Sequence, residues 1–212
     1  MNLLLACDVE YYNQWAINCI KSVKQNAPWL KIHVVIVNPT DQIEKFDDVI
    51  YHYDYKEFNN DNSKVAYFQA VRFLKCPEIF PNKELVLSID CDTILTKPIS
   101  IKEYRRLAKD ISVLKHHKED RYMAGFITFG GHTKFRKRFK ELLLSSPIDE
   151  WIYGWDQTVL NMLRNEFDFK TIKVGTWMSF GKGKGLFLTL KGDQKVTQKY
   201  IDNYENLMND IC

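Results

Sequence analysis

Apolar residues are spaced along the chain in two ways, as short unbroken runs and as stretches that recur every three or four positions. The runs at 3–7, 32–37, 49–53, 85–89, 111–114, 125–129, 169–174 and 186–190 predict β-strands, and several are apolar enough to be buried on both faces of a sheet. After the first run, Trp15, Ala16, Cys19, Ile20 and Val23 follow helical spacing until Asn26-Ala-Pro28 stops it. A helix over 63–74 carries Arg72 and is expected to end at Cys76-Pro77, while Ser100 followed by Glu103 has the spacing of a capping box. Another helix covers 133–144 with Phe135, Phe139, Leu142 and Leu143 on one side, and one opens at Asp156-Gln157 after Gly154 and continues to about Glu166. The last carries the stripe Val196, Tyr200, Tyr204, Leu207 and Ile211, with Asp193 as its cap. Strand, helix, strand order implies crossover connections, so the expected fold is α/β: one domain, 1–212, with a mostly parallel central sheet flanked by helices.

The polar residues that matter stand where these runs stop. The run at 85–89 delivers Asp90-Cys91-Asp92 to a strand's carboxyl end, the edge at which open α/β sheets bind ligands. In an extended chain Asp90 and Asp92 point the same way and Cys91 turns back into the protein. Two carboxylates that close repel unless a cation lies between them, and hard oxygen ligands suit Mn2+ or Mg2+. The plainer alternative is two solvated acids in a turn. The first run likewise ends in Asp8, with Tyr11 and Tyr12 close behind.

Composition narrows the field. An apolar share of 45% with 27% charged residues fits a soluble globular domain, and a net charge of +3 is too mild for a nucleic-acid domain. It suits anionic small molecules equally well. The cysteines at 7, 19, 76, 91 and 212 include no Cys-x-x-Cys pair, which argues against a disulfide framework or a zinc site and for a reducing compartment. No apolar run approaches the ~20 residues of a membrane span, and residues 1–7 are too few for a signal-peptide core, so a cytoplasmic protein is expected. Gly181-Lys-Gly-Lys-Gly185 lacks the spacing of a phosphate-binding loop, and no nucleophile elbow is present. His116 and His117, as neighbours, cannot easily share one ion and read as surface residues. Lys134, Arg136, Lys137, Arg138 and Lys140 read as a solvated basic face, with weak peripheral contact to anionic lipid as the alternative.

In order, the motifs resemble those of a GT-A-fold, Rossmann-like glycosyltransferase, most nearly the family 8 group of nucleotide-sugar-dependent, mainly retaining transferases. Leu3-Leu-Leu-Ala-Cys-Asp8 with Tyr11 and Tyr12 is similar to the family's first strand, Ala70-Val-Arg-Phe73 to its arginine-bearing helix, and Ser88-Ile-Asp-Cys-Asp92 to its Asp-x-Asp motif. Ala124-Gly125-Phe126 is similar to the strand beneath the sugar, Trp155-Asp-Gln-Thr-Val-Leu-Asn161 to the Asp-Gln-x-x-Leu-Asn motif, and Leu190-Lys-Gly-Asp-Gln-Lys195 to the late segment that reaches the diphosphate.

The resemblance implies a donor, in the first instance a UDP-sugar, held by Asp8, Tyr11, Tyr12, Arg72, Asp90, Gly125, Lys191 and Lys195. It implies a divalent ion on Asp90 and Asp92, with Asp156 and Gln157 at the reacting sugar and an acceptor it does not specify. The base would lie between Asp8 and one of Tyr11 or Tyr12. Asp156 would act as hydrogen-bond acceptor, nucleophile or base. Family members commonly add a late histidine to the metal, but none follows His132 here, leaving Asp193 or water for that place. The rivals are a sugar nucleotidyltransferase, which generally needs a glycine-rich loop where this chain reads Cys7-Asp-Val-Glu-Tyr11, and a non-catalytic nucleotide or sugar binding module.

Overall fold

The structure is a computed structural model that describes residues 1–40, 43–116, 119–172, 174–181, 185–190, 192–195 and 197–211. The first half of the chain forms β1 (Asn2–Asp8), α1 (Val9–Tyr11), a π-turn at Tyr12–Ala16, α2 (Ile17–Asn26), β2 (Lys31–Val37), β3 (Val49–Asp54), α3 (Asp61–Ile79), β4 (Val86–Ile89) and β5 (Thr93–Leu95). It continues through α4 (Ile101–Ala108), β6 (Ile111–Lys115), β7 (Tyr122–Phe129), α5 (Thr133–Leu143), α6 (Trp155–Leu163), β8 (Lys170–Ile172), β9 (Met178–Phe180), β10 (Phe187–Thr189) and α7 (Gln198–Ile211).

The main sheet has the order β3-β2-β1-β4-β7-β6-β8. Its pairs are parallel except for β7, which runs antiparallel between β4 and β6. Because strand side chains alternate, β1 feeds both sides: Leu3 and Leu5 join a core with Ile20, Val23 and Tyr104, while Leu4 joins another with Phe73, Phe139 and Leu160. Helices α2 and α4 therefore cover one face and α3, α5 and α6 the other. Phe73 lies flat on Phe139 with ring centroids 4.4 Å apart, a pair worth about 1 kcal/mol beyond its burial.

Several expectations are corrected. A second sheet, β5-β10-β9, was not foreseen, and it packs Ile94 and Leu188 against Tyr204 and Met208 of α7. Its strands are three residues each, too short to show a period. Pro77 does not end α3; it sits inside the last turn, which Phe80 N closes on Cys76 O, because buried neighbours outweigh the lost hydrogen bond. α6 stops at Leu163, short of residue 166, and β8 pairs only over 170–172. Asp193 lies in a 3-10 turn, Gly192–Lys195, that ends before α7 begins at Gln198, so it does not hold the position next to the helix; Val196 falls outside the described residues. The capping box of Ser100 and Glu103 is present at α4.

Arg136 is not part of a solvated basic face. It is 1% exposed, and its guanidinium donates to the carbonyls of Phe80, Asn82, Glu84 and Gly130, which fastens the loop ahead of β4 to α5. Arg138 pairs with Glu166 and Lys140 with Glu78, which leaves Lys134 and Lys137 as the cations of that helix for any anionic surface. Cys7, Cys19, Cys76 and Cys91 are free and buried. Among the described residues no helix is long and apolar enough to cross a membrane.

Candidate active site

The carboxyl ends of β1 and β4 open onto a cavity of about 570 Å³. Running antiparallel, β7 brings its first half to the same edge, where Asp90 N donates to Gly125 O over 3.1 Å. Asp8, Tyr11, Arg72, Asp90, Asp92, Gly125, Asp156, Gln157 and Lys195 all line this cavity. Lys191 lies outside the described residues, and one expected residue, Tyr12, does not join the others. Tyr12 is fully buried on the far side, its hydroxyl donating to Glu44 O over 2.6 Å and sharing a 2.9 Å bond with Tyr51. Neighbouring residues on a helical turn point in different directions, so only one of the two tyrosines reaches the cavity.

The acids sit in a turn and not on extended chain, since Thr93 N returns to Asp90 O over 3.1 Å. Cys91 does face inward, with its thiol donating to Ala6 O. The two carboxylates have different surroundings. Asp92 is 3% exposed; its Oδ1 accepts from Thr189 Oγ1 at 2.8 Å, and its Oδ2 accepts from Tyr11 Oη at 2.8 Å and pairs with Lys195 Nζ at 2.5 Å. Burial first, then the Asp92 charge, drives the Tyr11 hydroxyl far above its usual range, so it stays a donor. Asp90 is more open. Its Oδ1 pairs with Arg72 Nη1 at 2.9 Å, and its Oδ2 lies so close over Gly125 that a Cβ there would approach to 2.4 Å.

Arg72 is the buried hub. Its Nη2 donates to Ala124 O at 3.1 Å and lies 3.9 Å from Asp156 Oδ2. Burial opposes its charge, but Asp90 and Asp156 outweigh that and keep it protonated. Asp156 is buried in the first turn of α6, where its Oδ1 accepts from Gln157 N at 2.8 Å. The helix start itself belongs to Gly154, whose φ of 80° is a left-handed conformation suited to glycine. Burial raises the Asp156 carboxyl to about 6, with Arg72 pulling it down and Asp90 pushing it up. Four carboxylates, Asp8, Asp90, Asp92 and Asp156, thus share the cleft with three cations, Arg72, Arg121 and Lys195.

Some neighbours escaped the sequence reading. Thr189 is the last residue of β10, and in sequence it shows only a strand position. Gln69 lines the cavity one turn before Arg72 on α3 and accepts from Gly154 N at 3.1 Å; the i, i+3 spacing was the available signal. Asn161 has a structural part, bonding Tyr122 N and O and so tying α6 to β7 beneath the cleft. His116 accepts from Glu119 N, and His117 lies outside the described residues.

By sequence the chain matches no family model and no curated protein. By structure it is similar to the galactosyltransferase LgtC, solved in complex with donor and acceptor sugar analogues, with a TM-score of 0.64 at 12% identity over 100% of this chain and 96% of that one. It is also similar to the apo form of the glycosyltransferase GlyE of Streptococcus pneumoniae TIGR4, with a TM-score of 0.61 at 15% identity, spanning 99% of this chain and 62% of GlyE. The chain therefore has the fold of these GT-A glycosyltransferases.

That fold implies a divalent ion at the acid turn, and the residues fit one in their chemistry. Asp90 and Asp92 are hard oxygen donors on a single turn that lines the cavity, and Asp90 Oδ2 faces the bare backbone of Gly125. No group of three or more His, Cys, Asp or Glu side chains gathers among the described residues, so the remaining ligands would come from donor oxygens and water.

Proposed function

We propose that the protein is a glycosyltransferase that moves a sugar from a nucleotide-sugar donor, a UDP-sugar, to an acceptor, with retention and with the help of Mn2+ or Mg2+. The observation that carries this reading is the meeting of Asp90, Asp92, Asp156, Arg72 and Lys195 in one cleft at the strand ends of an LgtC-like fold.

As the sugar leaves, the nucleoside diphosphate gathers negative charge that must be neutralised. A divalent ion held by Asp90 and Asp92 would supply that Lewis-acid charge. Lys195 offers its ammonium to the same phosphates, and Arg72 keeps Asp90 aimed into the cleft. Tyr11 gives the base a ring to lie on, with Asp8 beside it as acceptor. Asp156 is ionised above about pH 6 and stands with Gln157 on the wall where the sugar would lie, as acceptor, nucleophile or base.

The test is release of nucleoside diphosphate from a panel of UDP- and GDP-sugars with Mn2+ or with chelator. UDP release from a UDP-sugar in Mn2+ supports the reading. No release from any donor, together with no calorimetric binding of UDP or GDP, overturns it.

A further inference from the structure

Asp92 already has a cation. Its side chain is almost wholly enclosed, Thr189 occupies one oxygen, and Tyr11 Oη and Lys195 Nζ meet at the other. Lys195 is itself only partly exposed, and its ammonium also contacts Tyr11 Oη and lies 5.0 Å over that ring. A carboxylate this buried needs a counter-charge, and here the protein supplies it. A divalent ion on Asp92 Oδ2 would have to take the place of the ammonium, because two cations on one oxygen repel.

Resting on the transferase reading above, we propose that Lys195 is an exchangeable counter-ion that keeps the metal position closed until a diphosphate arrives. Thr189 keeps its hold on the other Asp92 oxygen, so the acid stays in place while the long Lys195 side chain swings. An incoming diphosphate gives the ammonium another anion, Lys195 turns to it, and Asp92 Oδ2 becomes available to the ion. Metal and nucleotide then help one another, and linkage makes the gain equal in both directions.

The experiment titrates Mn2+ alone into the unaltered protein, K195M and K195Q, following free Mn2+ by electron paramagnetic resonance, and titrates UDP in chelator in parallel. K195M should bind Mn2+ alone at least ~10-fold tighter than the unaltered protein, since its buried carboxylate has lost its partner. It should bind UDP in chelator more weakly. K195Q keeps a donor to Asp92 without the charge and serves if K195M does not fold; it too should bind Mn2+ tighter. A folded variant with unchanged or weaker Mn2+ affinity overturns the exchange. If UDP binds none of the proteins, the transferase reading fails, while the Mn2+ arm still decides whether Lys195 competes with the ion.

Discussion

Replacing Gly125 by Ala is the smallest change that reaches the acid turn. The added Cβ would lie 2.4 Å from Asp90 Oδ2 and 3.2 Å from Asp90 Cγ, whereas ordinary contact begins near 3.4 Å. The carboxylate must therefore retreat by about 1 Å. Its other oxygen is held at 2.9 Å by Arg72, which is buried and itself bonded to Ala124 O, so the guanidinium cannot follow and the pair stretches. About a third of the Asp90 side chain is exposed, which lets it swing into the cleft without rebuilding the core. The stability cost then falls at the low end for overpacking, about 1 kcal/mol, or a Tm lower by about 2–4 °C for a chain of this size. The loss of turnover should be larger in proportion, about 100-fold, as for a reacting group misplaced by 1 Å. The assay is donor turnover beside thermal melting for G125A and for G131A, whose Cβ would meet Lys83 at an ordinary 3.4 Å and should change neither. A G125A protein with wild-type turnover would refute the argument that Asp90 must occupy this position.

Further expectations concern single side chains. D156N should keep UDP affinity in calorimetry and lose turnover by about 100-fold or more, and wild-type kcat should rise with pH through about 6 as Asp156 ionises, so a profile flat from pH 5 to 7 removes it from the reacting step. Y11A should weaken UDP binding, while Y12F should leave it unchanged and lower stability by about 1 kcal/mol through its lost bonds to Glu44 O and Tyr51, read as a lower Tm. Burial first, then His52 and Lys31, depresses the His33 imidazole from 6.5 to about 4. Its neutral form is favoured in the folded state, so this contribution is fully present above pH 6.5 and is lost as pH falls toward 4. Melting from pH 7 to 4 should fall less steeply in H33Q than in wild type, and parallel curves would exclude His33 as a source of acid sensitivity.

The sequence by itself determined the parts of this protein that depend on near neighbours. The buried runs, the Ser100 and Glu103 capping box, and the acids standing just past a strand end all follow from local period and local hydrogen bonding. So does the placing of Asp8 and Asp90 at a sheet edge, since each follows a strand run, whereas the company of Arg72 and Asp156 was implied only by the resemblance. Only the tertiary structure decided which residues meet there. That β7 enters reversed, bringing Gly125 under Asp90, is a choice of strand order that no window of sequence encodes. Tyr11 rather than Tyr12 reaches Asp92 because a π-turn and two cores settle the rotation of that helix. Arg136 reads as one more surface cation until three carbonyls from a distant loop and the nearby Gly130 carbonyl close around it. Thr189 and Lys195 reach Asp92 across about a hundred residues of chain through a sheet of three-residue strands. A contact of that kind forms only after the core has brought its partners together, so its energy belongs to the packed whole and leaves no period along the chain.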